Sequence, residues 1–445
     1  MSKNENLEND TEESSGSIFF VADSDSQLKP AYRLTKYVAD QMGWSMSGNL
    51  LPGRVQASKR QIETVGVECP LHNLELDELA PYVSSHTVVV AFLPGSKLYL
   101  LQAALSEHRK RRNLAIRPLI VTGYNGVVYE KHLEGLLWRV GYDFITVNSQ
   151  HDLDLFTRHL NDFNFPTHPL VVTGLLLAQG KESCVPLLKQ KASEPIKQVL
   201  FACQAAVPKV RIERRYLLKK FVEYARRHPT RKILVKPRTV PGEETFHRQR
   251  HHYQHIYNEE FRKNGPPNLE FVYDGFETYL PKTDLVVSVS STAILEAAAF
   301  GVRTAILTDL GIKEAMGNHF FAGSGLFTTM ADLMADRIPE ADENWFATHG
   351  LGGDVGFSNL VAELKKSLRG TPPVQESAFL QTACGPKKMP YQHKRIIELS
   401  GPRPEETRIQ AFVRKSKKLV WRPRRFFVDA RSNRAKKRRA SARPI

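Results

Sequence analysis

In the stretch Asp284 to Gly301, DLVVSVSSTAILEAAAFG, three hydroxyl residues, Ser290, Ser291 and Thr292, open a segment of helical period that carries one acid, Glu296. Ser and Thr are strong helix N-cap residues, and first-turn N–H groups are unpaired and carry the positive end of the helix dipole, so a phosphate fits beside them without a P-loop glycine signature. Glu296, about one turn further on, can accept hydrogen bonds from the two ribose hydroxyls of a nucleotide whose phosphates sit at the helix start. Ala297, Ala298 and Ala299 let such a helix lie close to a sheet. The same letters also describe an ordinary capped helix in which Glu296 only complements the dipole. Upstream, ILVKPRTVPGE offers Lys236 and Arg238 at the end of an apolar run, either a phosphate clamp or two surface cations. Near the start, Asp23-Ser24-Asp25-Ser26 follows another apolar run; a carboxylate there can take a proton from an acceptor hydroxyl, or can cap the next helix.

Weaker signals surround these. Asn318 and His319, on a Gly-flanked loop, can touch a base or sugar, or simply form a turn packed by Phe320 and Phe321. Thr122, Asn125 and Asn148 stand where strands give way to helices and can bond acceptor hydroxyls, although Thr-Gly and Asn-Gly are also ordinary turn chemistry. The run FHRQRHHYQHIY contains i,i+4 histidine pairs, His247–His251 and His251–His255, which bears on metal, phosphate or plain solvation. Asp23-x-Asp25 spells a short DxD metal pattern but opens the chain instead of following a nucleotide-binding half. No metal and no cofactor is expected. The four cysteines are scattered without ligand spacing and read as buried thiols.

The elements that must hold these residues come from short apolar runs. Ile18–Ala22, Val65–Val67, Val88–Leu93, Leu119–Thr122, Phe144–Val147 and Leu170–Val172 recur about every 25 residues and alternate with helix-period stretches such as Lys97–His108. Continuous apolar strands alternating with helices indicate a parallel sheet covered on both faces. The rhythm breaks over 179–197 and resumes with Val199–Ala202, Ile233–Val235, Leu269–Val272, Leu285–Val289 and Thr304–Leu307, with helices expected over Arg211–Arg227 and Thr292–Phe300. The fold class is α/β: two doubly wound, Rossmann-like domains facing a cleft. The expected organisation is a leader over 1–17, an acceptor domain over 18–175, a linker over 176–197, a donor domain over 198–370 and an extension over 371–445.

The strand, hydroxyl loop, Glu-bearing helix, glycine and following strand GVRTAIL resemble the donor-binding stretch in the second domain of GT-B glycosyltransferases. The segment is similar to that of bacterial capsule-type sialyltransferases and polysialyltransferases and, more distantly, to that of the glycerophosphotransferases that build teichoic acids. The chain also resembles a bacterial family known only by its description as glycosyltransferases. The resemblance is firm over residues 269–308 and fair for the architecture of 18–370. It implies a nucleotide-sugar donor, a glycan or lipid-linked acceptor, metal-independent transfer in cell-surface polysaccharide synthesis, an inverting outcome and a cytidine donor, without fixing the last two. In the sialyltransferases the serine pair contacts the donor phosphate after a Lys-x-His-Pro element; this chain keeps Lys236 and Pro237 but has no histidine there, which leaves leaving-group stabilisation to Lys236 or Arg238. Their base lies in an acid-acid-Gly motif, for which this chain has Asp-Ser-Asp-Ser, so the role falls to Asp25 or failing that Asp23.

Length and charge bound the rest. A chain of 445 residues with 41% apolar content fills more than one core, because cores seldom grow past ~250–300 residues. The net charge of +16 is concentrated from Arg414 onward, where 14 basic residues meet one acid, leaving only about +3 for the body. Trp421, Phe426 and Phe427 interleave with Arg422, Arg424 and Arg425, a pattern suited to an anionic membrane surface through residues 414–445; no specific nucleic acid is expected. With no apolar run long enough to span a bilayer and no signal core, the expected location is cytoplasmic, peripheral at the inner face of the cell membrane. No nucleophile elbow, P-loop or GxGxxG appears. Two other functions compete: a nucleotide-sugar epimerase or hydrolase on the same fold, and a non-enzymatic nucleic-acid or envelope-binding protein driven by its tail.

Overall fold

In a computed structural model of the chain, the described residues are 16–369, apart from 53–56, 77, 114–116, 125, 129–133, 163–164, 166, 168, 177–193, 244–250 and 352–355. Most of the proposed linker, the leader up to residue 15 and the extension from 371 lie outside them, as do Asn125 and His247. Among the described residues, thirteen strands make two sheets, and every strand pairing is parallel.

The first sheet holds β1 (Ser17–Ala22), β2 (Ser45–Leu50), β3 (Leu71–His72), β4 (Val88–Phe92), β5 (Leu119–Gly123), β6 (Phe144–Val147) and β7 (Leu170–Val172), in the order β3-β2-β1-β4-β5-β6-β7. The second holds β8 (Gln198–Ala202), β9 (Lys232–Lys236), β10 (Leu269–Phe271), β11 (Leu285–Ser288), β12 (Arg303–Leu307) and β13 (Phe327–Thr328), in the order β10-β9-β8-β11-β12-β13. The apolar runs are continuous because both faces of each sheet are covered: residues 18–22 and 285–287 have no solvent exposure. Strand order reverses between β1 and β4 in one lobe and between β8 and β11 in the other. Those two reversals are the topological switch points, outside whose carboxyl ends open α/β sheets bind ligands.

The helices used below are α1 (Asp25–Met42), α2 (Lys59–Val65), α3 (Gly95–Arg112), α4 (Gln150–Asp162), α5 (Arg211–Arg227), α6 (Phe276–Tyr279), α7 (Ala293–Ala299) and α8 (Phe357–Arg369). The last crosses back to the first lobe. Phe357, Leu360, Val361 and Leu364 join the core built on β1, β4 and α1, and Asn359 Nδ2 donates to Val172 O at 2.9 Å.

Two local readings differ from expectation. Val65–Val67 is no strand: residues 59–65 form α2, started by a reciprocal capping box between Ser58 and Gln61 and stopped by Gly66 at φ 69°. The strand in that region is β2, SMSGNL, whose polar letters hide it. Gly48 is required there because a Cβ would stand 2.1 Å from the Phe20 ring.

Candidate functional site

Both chemistry-bearing segments fall at the switch points. Asp23 to Asp25 follow β1, and Lys97 at the start of α3, beyond β4, is ion-paired with Asp23 across the reversal. Ser290 follows β11 and meets Gln204, beyond β8: the Ser290 N–H donates to Gln204 Oε1 at 3.2 Å and its hydroxyl lies 3.1 Å from the same oxygen. The two switch points then meet each other. Arg238 Nη2 donates to Asp25 Oδ2 at 2.9 Å, and Lys29 Nζ on α1 reaches Glu296 Oε2 at 3.8 Å and Glu277 Oε1 of α6 at 3.2 Å. Arg33 Nη2 adds a 2.5 Å bond to Glu277, and Arg60 Nη2 on α2 a 2.5 Å bond to Glu243. A Cβ on Gly126 of the first lobe would stand 3.2 Å from Thr292 Oγ1 of the second, so these two loops also touch.

The electrostatics of this cleft are uneven. Burial works to raise the carboxyls of Glu277 and Glu243, but Lys29 and Arg33 outweigh it at the first, and Ser58 and Arg60 at the second; both end below the ordinary glutamate range. Glu296 goes the other way: burial pushes its carboxyl up, and Lys29 only partly offsets this. Lys236 is also strongly shifted. Burial first, then the positive charges of Arg60 and Lys29, press its ammonium down to about 8, and it has no ion-pair partner among the described residues. A half-buried ammonium with no ion-pair partner, its charge offset only through space by Asp274, at the end of β9 beside the switch point, is a place where an anion relieves an existing cost.

The helix tip itself is less available than its letters suggest. Ser291 Oγ accepts the Ala293 N–H at 3.2 Å, Ser291 O that of Ile294 at 3.0 Å, and Thr292 O those of Leu295 and Glu296 at 2.9 and 3.1 Å. Ser290 is 7% exposed, and its hydroxyl is 2.5 Å from Met316 O. Ser290 therefore ties the loop after β11 to the neighbouring loops, and the first-turn N–H groups have partners. Ser291 and Thr292 are both half-buried, and the Ser291 hydroxyl, which accepts from Ala293, still has its proton to donate.

Several expected contacts turn inward. Thr122 is fully buried, with its hydroxyl donating to Ala91 O at 2.8 Å between β4 and β5. Asn148 Nδ2 is held by Gly126 O at 3.1 Å and Asp152 Oδ2 at 3.0 Å, where it helps start α4. Asn318 is fully buried and closes its own loop, accepting from Lys313 N at 2.8 Å and donating to Gly311 O at 2.9 Å. These three amides and hydroxyls have partners within the scaffold. His319 is half-buried beside Phe320, whose ring packs on Trp345 and His349. Asp23 is 7% exposed and neutralised by Lys97; Asp25 is the more accessible of the two acids. His252 is structural too, its Nδ1 accepting from Gln254 N while Nε2 lies 2.8 Å from Thr239 O.

The model of a protein family described as "Putative glycosyltransferase (DUF6716)" matches residues 18–367 of this sequence. The chain belongs to that family. No protein of curated function matches it significantly. Among solved structures, the chain is similar to a UDP-GlcNAc 2-epimerase from Methanocaldococcus jannaschii, with 11% identity, 79% of this chain and 99% of that one covered, and a TM-score of 0.51. It is also similar to the S. aureus MnaA–UDP structure, with 10% identity, coverage of 80% and 96%, and a TM-score of 0.50. Identity this low establishes the fold alone: this family member has the two-lobed GT-B architecture. The sialyltransferase branch of the sequence resemblance has no support among these findings.

Within this family member, the residues that sequence reasoning missed are Lys29, Arg33, Arg60, Glu243, Glu277 and Gln204. Their signal was present only as spacing: Lys29 and Arg33 are an i,i+4 pair on one face of α1, but nothing local says that this face meets the other lobe. Among the described residues no helix is long and apolar enough to cross a membrane, and no group of three or more His, Cys, Asp or Glu is placed to hold a metal. The basic aromatic tail lies outside the described residues.

Proposed function

We propose that the chain transfers a sugar from a nucleotide-sugar donor bound in the C-terminal lobe to a glycan or lipid-linked acceptor approached from the N-terminal lobe. Lys236 carries this reading: a half-buried ammonium with no ion-pair partner among the described residues, beside a topological switch point and near Arg238 and the buried carboxyl of Glu296. Family membership supports the reaction class, and the UDP named in similar structures of this fold makes a uridine donor the first to try.

In this reading Lys236 and Arg238 hold the donor phosphates, Ser291 and Thr292 add hydroxyl donors, and Glu296 accepts from the ribose hydroxyls. Asp25 takes the proton from the acceptor O–H, the acceptor oxygen bonds to the anomeric carbon, and the bond from that carbon to the phosphate oxygen breaks. The electron pair leaves with the nucleotide, whose new charge falls on Lys236 and Arg238. The acceptor side rests on the Gly126 loop and α1, because Thr122 and Asn148 are engaged elsewhere.

The test is a thermal-shift panel of uridine, cytidine and guanosine nucleotides and their sugars on the purified chain, since a ligand raises stability by RT ln(1 + [L]/Kd). One nucleotide class should shift the wild type, and Glu296→Gln and Lys236→Met should each erase that shift. An undiminished shift in both variants would remove the proposed site. Incubation with the active donor and acceptor glycans then separates reactions: free nucleotide with a glycosylated product marks transfer, and an isomerised sugar marks epimerisation.

A further inference from the structure

Asp25 and Arg238 are 213 residues apart and come from opposite lobes, yet each is the other's ion-pair partner, at 2.9 Å. On the reading above, one is the base and the other a phosphate ligand, so one contact engages both functions at once. We propose that Asp25 and the donor phosphate compete for the Arg238 guanidinium, so that donor binding is the event that frees the base. This deepens the transferase reading and rests on it.

The geometry favours such an exchange. The contact uses one prong of the guanidinium, Nη2, and one carboxylate oxygen. A phosphate can meet the planar fork with two parallel hydrogen bonds and carries more charge, so it is the stronger ligand. The side chains are 34% and 25% exposed, and a pair this accessible to water is held weakly enough to be displaced. Lys236, two residues before Arg238, has no ion-pair partner among the described residues and attracts the same phosphate. Asp25 is not stranded by the exchange, because it occupies the first turn of α1, an 18-residue helix whose N-terminal dipole favours a carboxylate.

The exchange has a chemical consequence. A carboxylate oxygen that already holds a guanidinium N–H cannot at the same time meet an acceptor hydroxyl. Once phosphate occupies Arg238, the Asp25 oxygen that held Nη2 is open to an acceptor hydroxyl. Arg238 thus acts as a positioning residue for the base as well as a ligand for the donor, and the expected order of binding is donor before acceptor.

The experiment measures calorimetric binding of inorganic pyrophosphate, UDP and CDP to the full-length chain at low ionic strength, for wild type, Asp25→Asn, Arg238→Gln and the double variant. Competition through Arg238 makes Asp25→Asn bind pyrophosphate about three- to fivefold more tightly, although it removes the proposed base. Arg238→Gln should weaken binding about tenfold, and adding Asp25→Asn to it should change nothing further. Asp25→Ser serves as a second substitution, with circular dichroism checking the fold of each variant. A tightening that persists in the Arg238→Gln background would be a general field effect and would overturn the proposal, as would an Asp25→Asn protein that binds no better than wild type. Either result leaves the nucleotide-sugar reading standing. Failure of all three probes to bind wild type and Asp25→Asn alike would overturn both.

Discussion

Replacing Lys236 by methionine, which keeps the chain length and packing but removes the charge, should make the ligand-free protein more stable. In the folded chain burial, Arg60 and Lys29 hold the ammonium at about 8 against its ordinary 10.5. A gap of that size corresponds to a burden of about 3 kcal/mol at 1.36 kcal/mol per pH unit, and imperfect fit of the thioether reduces the net gain to about 1–3 kcal/mol. The sign with pH follows from proton counts. Below about 8 the lysine is protonated in both folded and unfolded chains, and the full burden is present. Between about 8 and 10.5 only the unfolded chain holds the proton, so wild-type stability climbs with pH across that window. The Lys236→Met protein lacks this contribution, and the difference between the two should shrink from pH 7 towards pH 10. Paired urea or thermal denaturation of both proteins at several pH values reads that difference, cancelling other groups that titrate there. Nucleotide affinity should fall in the wild type as pH rises past about 8 and be weak throughout in the variant. A variant less stable than wild type at neutral pH, with a gap that does not change with pH, would mean that the ammonium is already fully compensated, and the argument for an anion site would collapse.

Two further outcomes separate scaffold from site. Lys97→Met strips the partner from Asp23, whose side chain is 6% exposed, and should destabilise the protein by about 3 kcal/mol in chemical denaturation, whereas Lys97→Arg should recover most of that. Ser290→Ala removes the hydroxyl that lies against Met316 O and Gln204 Oε1 and should cost about 1–2 kcal/mol of stability with little loss of nucleotide binding; Thr292→Val should do the reverse, weakening binding in calorimetry while leaving the unfolding midpoint near that of wild type.

Much of the architecture is legible in the letters because doubly covered parallel strands must be continuously apolar. Val88 to Phe92 and Leu285 to Ser288 announce themselves, and Arg211 to Arg227 carries a helical period clear enough to give α5 its observed bounds. SMSGNL fails the same test because its neighbours supply the burial: the Phe20 ring covers Gly48, so the strand needs no bulk of its own. The site divides along a similar line. Lys236, Glu296 and Asp25 are visible as charged residues placed just after apolar runs. Which of their neighbours face a ligand is not visible, since Thr122, Asn148, Asn318 and Ser290 have the polarity of binding residues but spend their hydrogen bonds on backbone carbonyls, N–H groups and nearby side chains. Contacts between lobes are the least legible. Glu277 and Lys29 lie 248 positions apart in sequence, and only the approach of α6 to α1 pairs them.

Helix α8 bears on how the chain matures on the ribosome. Phe357, Leu360, Val361 and Leu364 complete a core whose other members come from residues 18–176. The earliest-made lobe therefore leaves synthesis with an uncovered apolar flank and acquires its last wall only after the whole second lobe has emerged. A nascent chain halted before residue 357 should bind chaperones through that flank, and a fragment ending at residue 176 should aggregate unless the peptide 357–369 is supplied in trans.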